Sequence, residues 1–228
     1  MLAQLHIDVV DGVLLDLGLS SDQLADAQRG FSFSAEGELD LRFDPEEGEP
    51  AWRLVERLSA EHLAELFYYF GEERHSRKIA RTIVERRRQR PIRTSADLAE
   101  LVRRCVPSRR GRTIDPATKT FQALRIAVND ELKSLELALR RIPDHLRVGG
   151  KAAIISFHSL EDRLVKDYFR LESKDCICPP RQPICTCGHK ASIIEITRRP
   201  ITPTDEERNQ NSRARSAKLR VAEKLSAR

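Results

Sequence analysis

Asp11-Gly-Val-Leu-Leu-Asp-Leu-Gly-Leu-Ser-Ser21 carries an uncharged apolar run into Asp16 and then into a Gly/Ser-rich turn. A short apolar run bounded by turn residues reads as a strand buried on both faces, the kind found inside parallel sheets. In open α/β sheets ligands gather where such strands end. Asp16, with Gly18 to let a ligand approach the backbone, is therefore a candidate binding residue. A chain that opens on such a strand is expected to lack the front half of its sheet.

The same pattern recurs further on. Gly149-Gly150 precedes Lys151-Ala-Ala-Ile-Ile-Ser-Phe157, a second short buried strand, and Ser159-Leu-Glu-Asp162 has the spacing of a capping box opening a helix through Tyr168-Phe169. Upstream, Asp115-Pro116 offers an N-cap followed by a first-turn proline. Phe121, Leu124, Val128, Leu132, Leu135, Leu139 and Ile142 then recur at helical spacing, which predicts one long amphipathic helix. A helix feeding a parallel strand that opens another helix is the order of an α/β fold. Ser192-Ile-Ile-Glu-Ile-Thr197 alternates like a final edge strand, and from Glu206 the chain is polar and basic, with Arg213, Arg215, Lys218, Arg220 and Lys224 in a weakly helical segment.

Between these strands the pattern is all-helical. Trp52, Leu54, Val55 and Leu58 suit one helix; Leu63, Leu66, Phe67 and Phe70 suit a second, with Ser59 as N-cap and Gly71 as its end. A basic helix is expected from Ser76 to Gln89, stopped by Pro91, and a short one from Ser95 to Arg104. Residues 1–43 and 113–200 therefore read as a sheet-based core, 44–112 as a helical insertion and 201–228 as a basic tail.

The net charge of +5 at 40% hydrophobic content conceals a polarity along the chain. Residues 1–73 hold 17 acids and 4 bases, whereas Arg74 to Arg93 hold nine Lys/Arg against the single acid Glu85, with Arg103, Arg104, Arg109, Arg110 and Arg112 close behind. A cationic run of that density, repeated at the C-terminus, points to a polyanion, and nucleic acid is the expected partner. The apolar runs are too short to span a bilayer, and no basic-then-apolar leader opens the chain, so the cytoplasm is the expected location.

For chemistry, the turns after Asp16 and Ser156 would open at one sheet edge if their strands are parallel neighbours. His158 is a candidate base there, with a structural, hydrogen-bonded histidine as the blander reading, and Ser159 reads as a helix cap. No nucleophile arrangement of Ser/His/Asp or Cys/His type is legible. Cys176, Cys178, Cys185 and Cys187, with His189 nearby, suggest a zinc clamp, but their one-residue gaps are weaker than the two-residue gaps of zinc ribbons, and a thiol-bearing hairpin without metal is the preferred reading.

Taken together, the segments just quoted and Arg29-Gly-Phe-Ser-Phe33, Leu39-Asp-Leu-Arg42, Thr120-Phe-Gln-Ala-Leu-Arg-Ile-Ala-Val-Asn-Asp-Glu131, Ile155-Ser-Phe-His-Ser-Leu-Glu-Asp-Arg163 and Asn211-Ser-Arg-Ala-Arg-Ser-Ala-Lys-Leu-Arg220 resemble, in order, the bacterial small-subunit ribosomal RNA methyltransferase H family. The resemblance covers essentially the whole chain. It implies the C-terminal part of a Rossmann-like methyltransferase sheet with an inserted all-helical domain. It also implies methylation of a cytidine N4 amine in small-subunit ribosomal RNA, with S-adenosylmethionine as the donor. Asp16 and Gln23 match cofactor-contacting positions of that family. Strand-end geometry adds Ser156, His158 and Ser159 near the target base, and Phe31, Phe33 and Phe157 are candidates for an aromatic wall against a base turned out of the RNA. The expected partners are small-subunit ribosomal RNA or the assembled subunit and no membrane, with a homodimer as a candidate assembly. The family's glycine-rich loop and its ribose-binding acid, which belong before this segment, have no counterpart here. The expectation is weak cofactor binding or none, with an RNA-binding remnant as the alternative function.

Overall fold

The computed structural model describes residues 2–20, 22–23, 26, 29–33, 37–107 and 114–226. The chain forms two compact units, Met1–Gly18 with Leu132–Arg228, and Leu19–Glu131. Arg109, Arg110 and Arg112 of the basic run lie outside the described residues.

In the first unit, β1 (Val10–Asp16) pairs in parallel with β2 (Leu146–Ser156), Val13 opposite Ala152 and Asp16 opposite Ile155. The edge strand β3 (Ile193–Glu195) pairs antiparallel with β4 (Lys218–Lys224), which pairs antiparallel with β2, so the sheet order is β1-β2-β4-β3. One face is covered. Ala152 and Ile154 of β2, Ala222 of β4 and Ile193 of β3 pack with Leu135, Leu139, Val165 and Phe169, each large side chain contributing about 1.5–3 kcal/mol by leaving water. The first two of these last four lie on α6 (Glu131–His145) and the others on α7 (Ser159–Glu172). On the opposite face Leu14 of β1 is 66% exposed and Ile194 of β3 47%, so β1, expected to be buried on both faces, is an edge strand of this sheet with one open side.

The second unit holds α1 (Ala51–Arg57), α2 (Ala60–Gly71), α3 (Ser76–Gln89), α4 (Ser95–Cys105) and α5 (Thr118–Asn129) around its own core, including Leu39, Leu63, Phe67, Ile79, Ile83, Leu98 and Leu124. Ser59 Oγ accepts from the His62 N–H at 3.2 Å, and Thr94 Oγ1 accepts from the Asp97 N–H at 3.1 Å, so both helices start on side-chain caps. α2 and α5 meet at Gly71, where an added Cβ would lie 2.4 Å from the Lys119 carbonyl oxygen. Gly71→Val is expected to cost about 1–3 kcal/mol through this overpacking, read as a lower urea midpoint with an unchanged m-value.

Several sequence expectations are corrected. The predicted long helix is two: Asp130 takes a left-handed conformation, φ 49°, and separates α5 from α6 at the handover between the units. The apolar spacing continues across the break, so periodicity did not register it. α5 begins at Thr118 rather than at Pro116, and Asp115 Oδ1 instead accepts from the Ala117 N–H at 2.8 Å in the turn before it. β2 starts at Leu146, ahead of Gly149-Gly150. The described residues between Leu19 and Phe43, grouped with the sheet by composition, fall in the helical unit: Leu39 and Leu41 are fully buried there, and Asn129 Nδ2 donates to the Leu41 carbonyl at 2.8 Å while its Oδ1 accepts from Phe43 N at 2.7 Å. The basic tail supplies an inner strand, β4, since Arg220 is buried by pairing rather than solvated.

Candidate functional site

β1 and β2 end at one edge, and the ladder continues one residue past β1 through Leu17 N–H donating to Ile155 O at 3.0 Å. Asp16 faces away from the helix-covered side of the sheet. Its side chain is exposed and has no hydrogen-bond partner among the described residues. Gly18 follows at φ 95°, where a side chain would be strained, and its missing Cβ would lie 3.7 Å from the Phe157 ring. A carboxylate at the end of a parallel strand, beside a turn that admits close backbone approach, can accept hydrogen bonds from a bound cation or amine.

The second strand end is built differently. Ser156 is 2% exposed, on the covered face, and its Oγ donates to the Lys218 carbonyl at 3.4 Å. His158, not Ser159, is the N-cap of α7: its Nδ1 accepts from Glu161 N–H at 3.3 Å, and Glu161 Oε2 accepts from the N–H groups of Phe157 and His158 at 2.9 and 3.2 Å. The capping box is thus shifted one residue from its sequence reading. The ring's Nε2 is buried 3.2 Å from Glu161 Oε1 without an aligned hydrogen bond. Burial raises the Glu161 pKa, but the His158 ring beside it and the two backbone N–H donors outweigh burial and hold the carboxyl below its ordinary value. Both imidazole nitrogens are therefore turned into the cap, which leaves His158 fixing the Phe157 turn rather than reaching outward as a base.

Beneath that turn lies a network the sequence reading missed. Asp162, in the first turn of α7, accepts from Arg220 Nε at 2.6 Å and Lys218 Nζ at 3.1 Å. Burial raises its pKa; hydrogen bonds from Arg220 and Lys218, with their charges, bring it below the ordinary carboxylate value. Arg220 Nη1 also approaches Glu195 Oε1 at 3.9 Å, so a single buried guanidinium links β4, β3 and α7.

In the helical unit, Gln23 Oε1 accepts from Ser20 N–H at 3.0 Å while Ser20 Oγ accepts from Gln23 N–H at 3.1 Å. Its amide oxygen is engaged in that reciprocal cap. Phe31 is a core residue and Phe33 packs edge-on against Phe121, centroids 4.9 Å apart, so neither offers an aromatic wall. The exposed aromatics are elsewhere. Tyr68 and Tyr69 on α2, 58% and 65% exposed, stand edge to face at 5.2 Å. With Arg74, Arg77 and Arg81 they line an open cleft of about 710 Å³. Two adjacent tyrosines off the Leu63/Phe67 core spacing were the available signal. Not every basic residue is free: Arg87 Nη1 donates to the carbonyls of Val55 and Leu58 at 2.7 Å each, and Arg93 stacks 3.6 Å over Trp52.

Cys176, Cys178, Cys185 and Cys187 converge in the segment between α7 and β3, their Sγ atoms all within 4.8 Å of one another. No helix of the described residues is long and apolar enough to cross a membrane.

Among known proteins, the ribosomal RNA small subunit methyltransferase H of Thermomicrobium roseum is 56% identical over 95% of this chain and 66% of the relative's length. That of Carboxydothermus hydrogenoformans is 49% identical over 98% and 72%, and that of Brevibacillus brevis 48% over 97% and 71%. The chain thus spans about two thirds to three quarters of the length of these relatives. The model of the MraW methylase family matches residues 1–225, across both the strand ends and the helical unit, and the chain belongs to that family.

Proposed function

We propose that the chain serves S-adenosylmethionine-dependent methylation of a cytidine N4 amine in small-subunit ribosomal RNA. The observation that carries the reading is the exposed Asp16, without a hydrogen-bond partner among the described residues, at the end of β1 in a chain of a methylase family. Cytosine N4 is a poor nucleophile because its lone pair is delocalised into the ring. A site must therefore hold acceptors against the amine hydrogens and align the nitrogen on the donor methyl. S-adenosylmethionine, when bound, supplies an electrophilic methyl on a sulfonium. Asp16 would hold the cofactor's ammonium or the target amine, and Gly18 lets either approach the backbone. Gln23, held by its reciprocal cap with Ser20, is the second cofactor-contacting position that the family resemblance implies. Ser156 and His158 act as positioning residues that fix the Phe157 turn.

The helical unit supplies RNA affinity in this reading. Its tyrosines offer stacking faces, and its arginines grip phosphates without reading sequence. The Tyr68→Ala/Tyr69→Ala variant is expected to weaken RNA binding by about 1–3 kcal/mol per lost stack. Arg77→Ala should lower the salt slope of log K by roughly one contact's worth. Filter binding across a salt series measures both, and unaltered affinity in both variants counts against the cleft.

The reaction is tested with labelled S-adenosylmethionine and small subunits lacking the modification, using the chain at the length its reading frame encodes. Label recovered as N4-methylcytidine supports the proposal. Salt-sensitive RNA binding with no cofactor binding by calorimetry and no transfer would instead establish an RNA-binding remnant.

A further inference from the structure

The segment from Ser173 to Ser192 has no helix or strand, and none of its residues from Lys174 to Lys190 is buried. Ordered loops of this length without an apolar core need another source of stability. Its base is closed by ordinary bonds: Ser192 N–H donates to Glu172 O at 2.9 Å, and Ser192 Oγ donates to Glu172 Oε2 at 2.7 Å. What orders the rest is the sulfur cluster.

Cys176 and Cys185 Sγ lie 3.5 Å apart, Cys178 and Cys185 3.9 Å, Cys185 and Cys187 3.6 Å, and Cys187 and Cys176 3.8 Å. Four sulfurs around a tetrahedral zinc at a Zn–S length of about 2.3 Å stand about 3.8 Å apart. A disulfide would bring two of them to about 2.0 Å, and the near-equal spacing of all four favours no pair. Backbone donors also point at sulfur: Ile177 N–H to Cys187, Cys178 N–H to Cys176 and Thr186 N–H to Cys178, at 3.4–3.5 Å. A neutral thiol is a weak acceptor, so three such donors in a solvated loop suit thiolates. Several thiolates this close repel one another unless a cation lies between them. His189 is engaged elsewhere, its Nε2 3.3 Å from the Leu171 carbonyl.

We propose that Cys176, Cys178, Cys185 and Cys187 form a closed, four-thiolate structural zinc site that orders the knuckle between α7 and β3. The one-residue gaps do not prevent this, because the chain folds back between Pro179 and Ile184 and lets each Cys-x-Cys pair contribute from its own arm. Gln182 braces the fold-back, its Nε2 donating to Ile184 O at 3.0 Å and Thr186 Oγ1 at 2.7 Å. With all four positions filled by protein, the metal has no open site for a reactant, and its role is to replace the core this segment lacks. The knuckle holds Ile184, 75% exposed, and Arg181 in fixed positions at its tip.

The whole chain, purified without chelator from zinc-supplemented medium, should carry about one zinc per molecule by elemental analysis. Cobalt exchanged into it should show the visible bands of tetrahedral four-sulfur coordination. Cys178→Ser and Cys185→Ser should each reduce the zinc content at least about tenfold, while His189→Ala keeps it. Stripping the metal should speed tryptic cleavage at Arg181 or Lys190 at least about tenfold, with the far-ultraviolet dichroism of the rest of the chain retained. A wild-type protein with four titratable thiols or two disulfides and no zinc overturns the proposal. So does a cobalt spectrum of mixed sulfur and nitrogen coordination that His189→Ala abolishes.

Discussion

Arg220→Ala is expected to lose about 3–5 kcal/mol of stability, because truncating one partner of a buried pair leaves the other charge uncompensated. Arg220 is 3% exposed and sits on the inner strand β4, with its Nε on Asp162. Removing it strands Asp162 beside Lys218 alone and empties a volume under α7. Arg220→Met keeps most of that volume, and together with Asp162→Asn it should recover a large part of the loss, since replacing both members by neutral groups removes the unpaired charge. Chemical denaturation of the three variants measures the effect. Equal stability of Arg220→Ala and the native chain would mean that the pair bears no load. Acid sharpens the test. Asp162 has a lowered pKa in the folded state, so its contribution is fully present above the unfolded value of about 3.9 and is lost as pH falls through the folded one. Arg220→Ala should lack that part of the acid limb.

Asp16→Ala is expected to reduce methyl transfer by about 10²–10³-fold, the usual cost of deleting one preorganised group at a reacting centre, with little change in folding. The side chain is exposed and makes no hydrogen bond to the described residues, so its removal strands none of their polar groups. Asp16→Asn separates two roles. If the carboxylate neutralises the cofactor's ammonium, the asparagine variant should raise the KM for S-adenosylmethionine. If it accepts from the cytidine amine, the amide oxygen remains an acceptor and kcat should recover in part. Transfer by Asp16→Ala at the native rate would remove the residue from the site.

Both strands that end at the candidate site were legible in sequence because their apolar runs are short and bounded by glycine or polar turns, and α3 because Ile79, Ala80 and Ile83 keep helical spacing up to Pro91. What sequence concealed follows from interactions between distant residues. β4 reads Lys218-Leu-Arg-Val-Ala-Glu-Lys224, and a pattern with Arg220 facing inward resembles a solvated tail until Asp162 supplies its partner from α7. The helix break at Asp130 is set by one backbone torsion that apolar spacing cannot report. At the candidate site, the place of Asp16 at a strand end was legible from the apolar run before it. His158 left both a base and a hydrogen-bonded structural role open in sequence, because nothing local announces that Glu161 will fold back to take up its turn. Of the phenylalanines offered as an aromatic wall, Phe31 and Phe33 belong to the helical core, while the exposed pair Tyr68 and Tyr69 carried no sequence motif.

The order of strands in the sheet also dictates an order of events on the ribosome. The helical unit is one continuous segment, Leu19–Glu131, and its contacts are available as soon as that segment has emerged. The sheet must wait. Its β1 precedes the helical unit, β2 follows that unit, and the strand that lies between β2 and β3 comes after both of them in the sequence. Until Lys218–Lys224 emerges, β2 has a bare flank, and Asp162 has neither of its cations. Long-range pairings of this kind close slowly, so a chain interrupted before Lys218–Lys224 has a sheet in which β2 and β3 lack the strand that joins them.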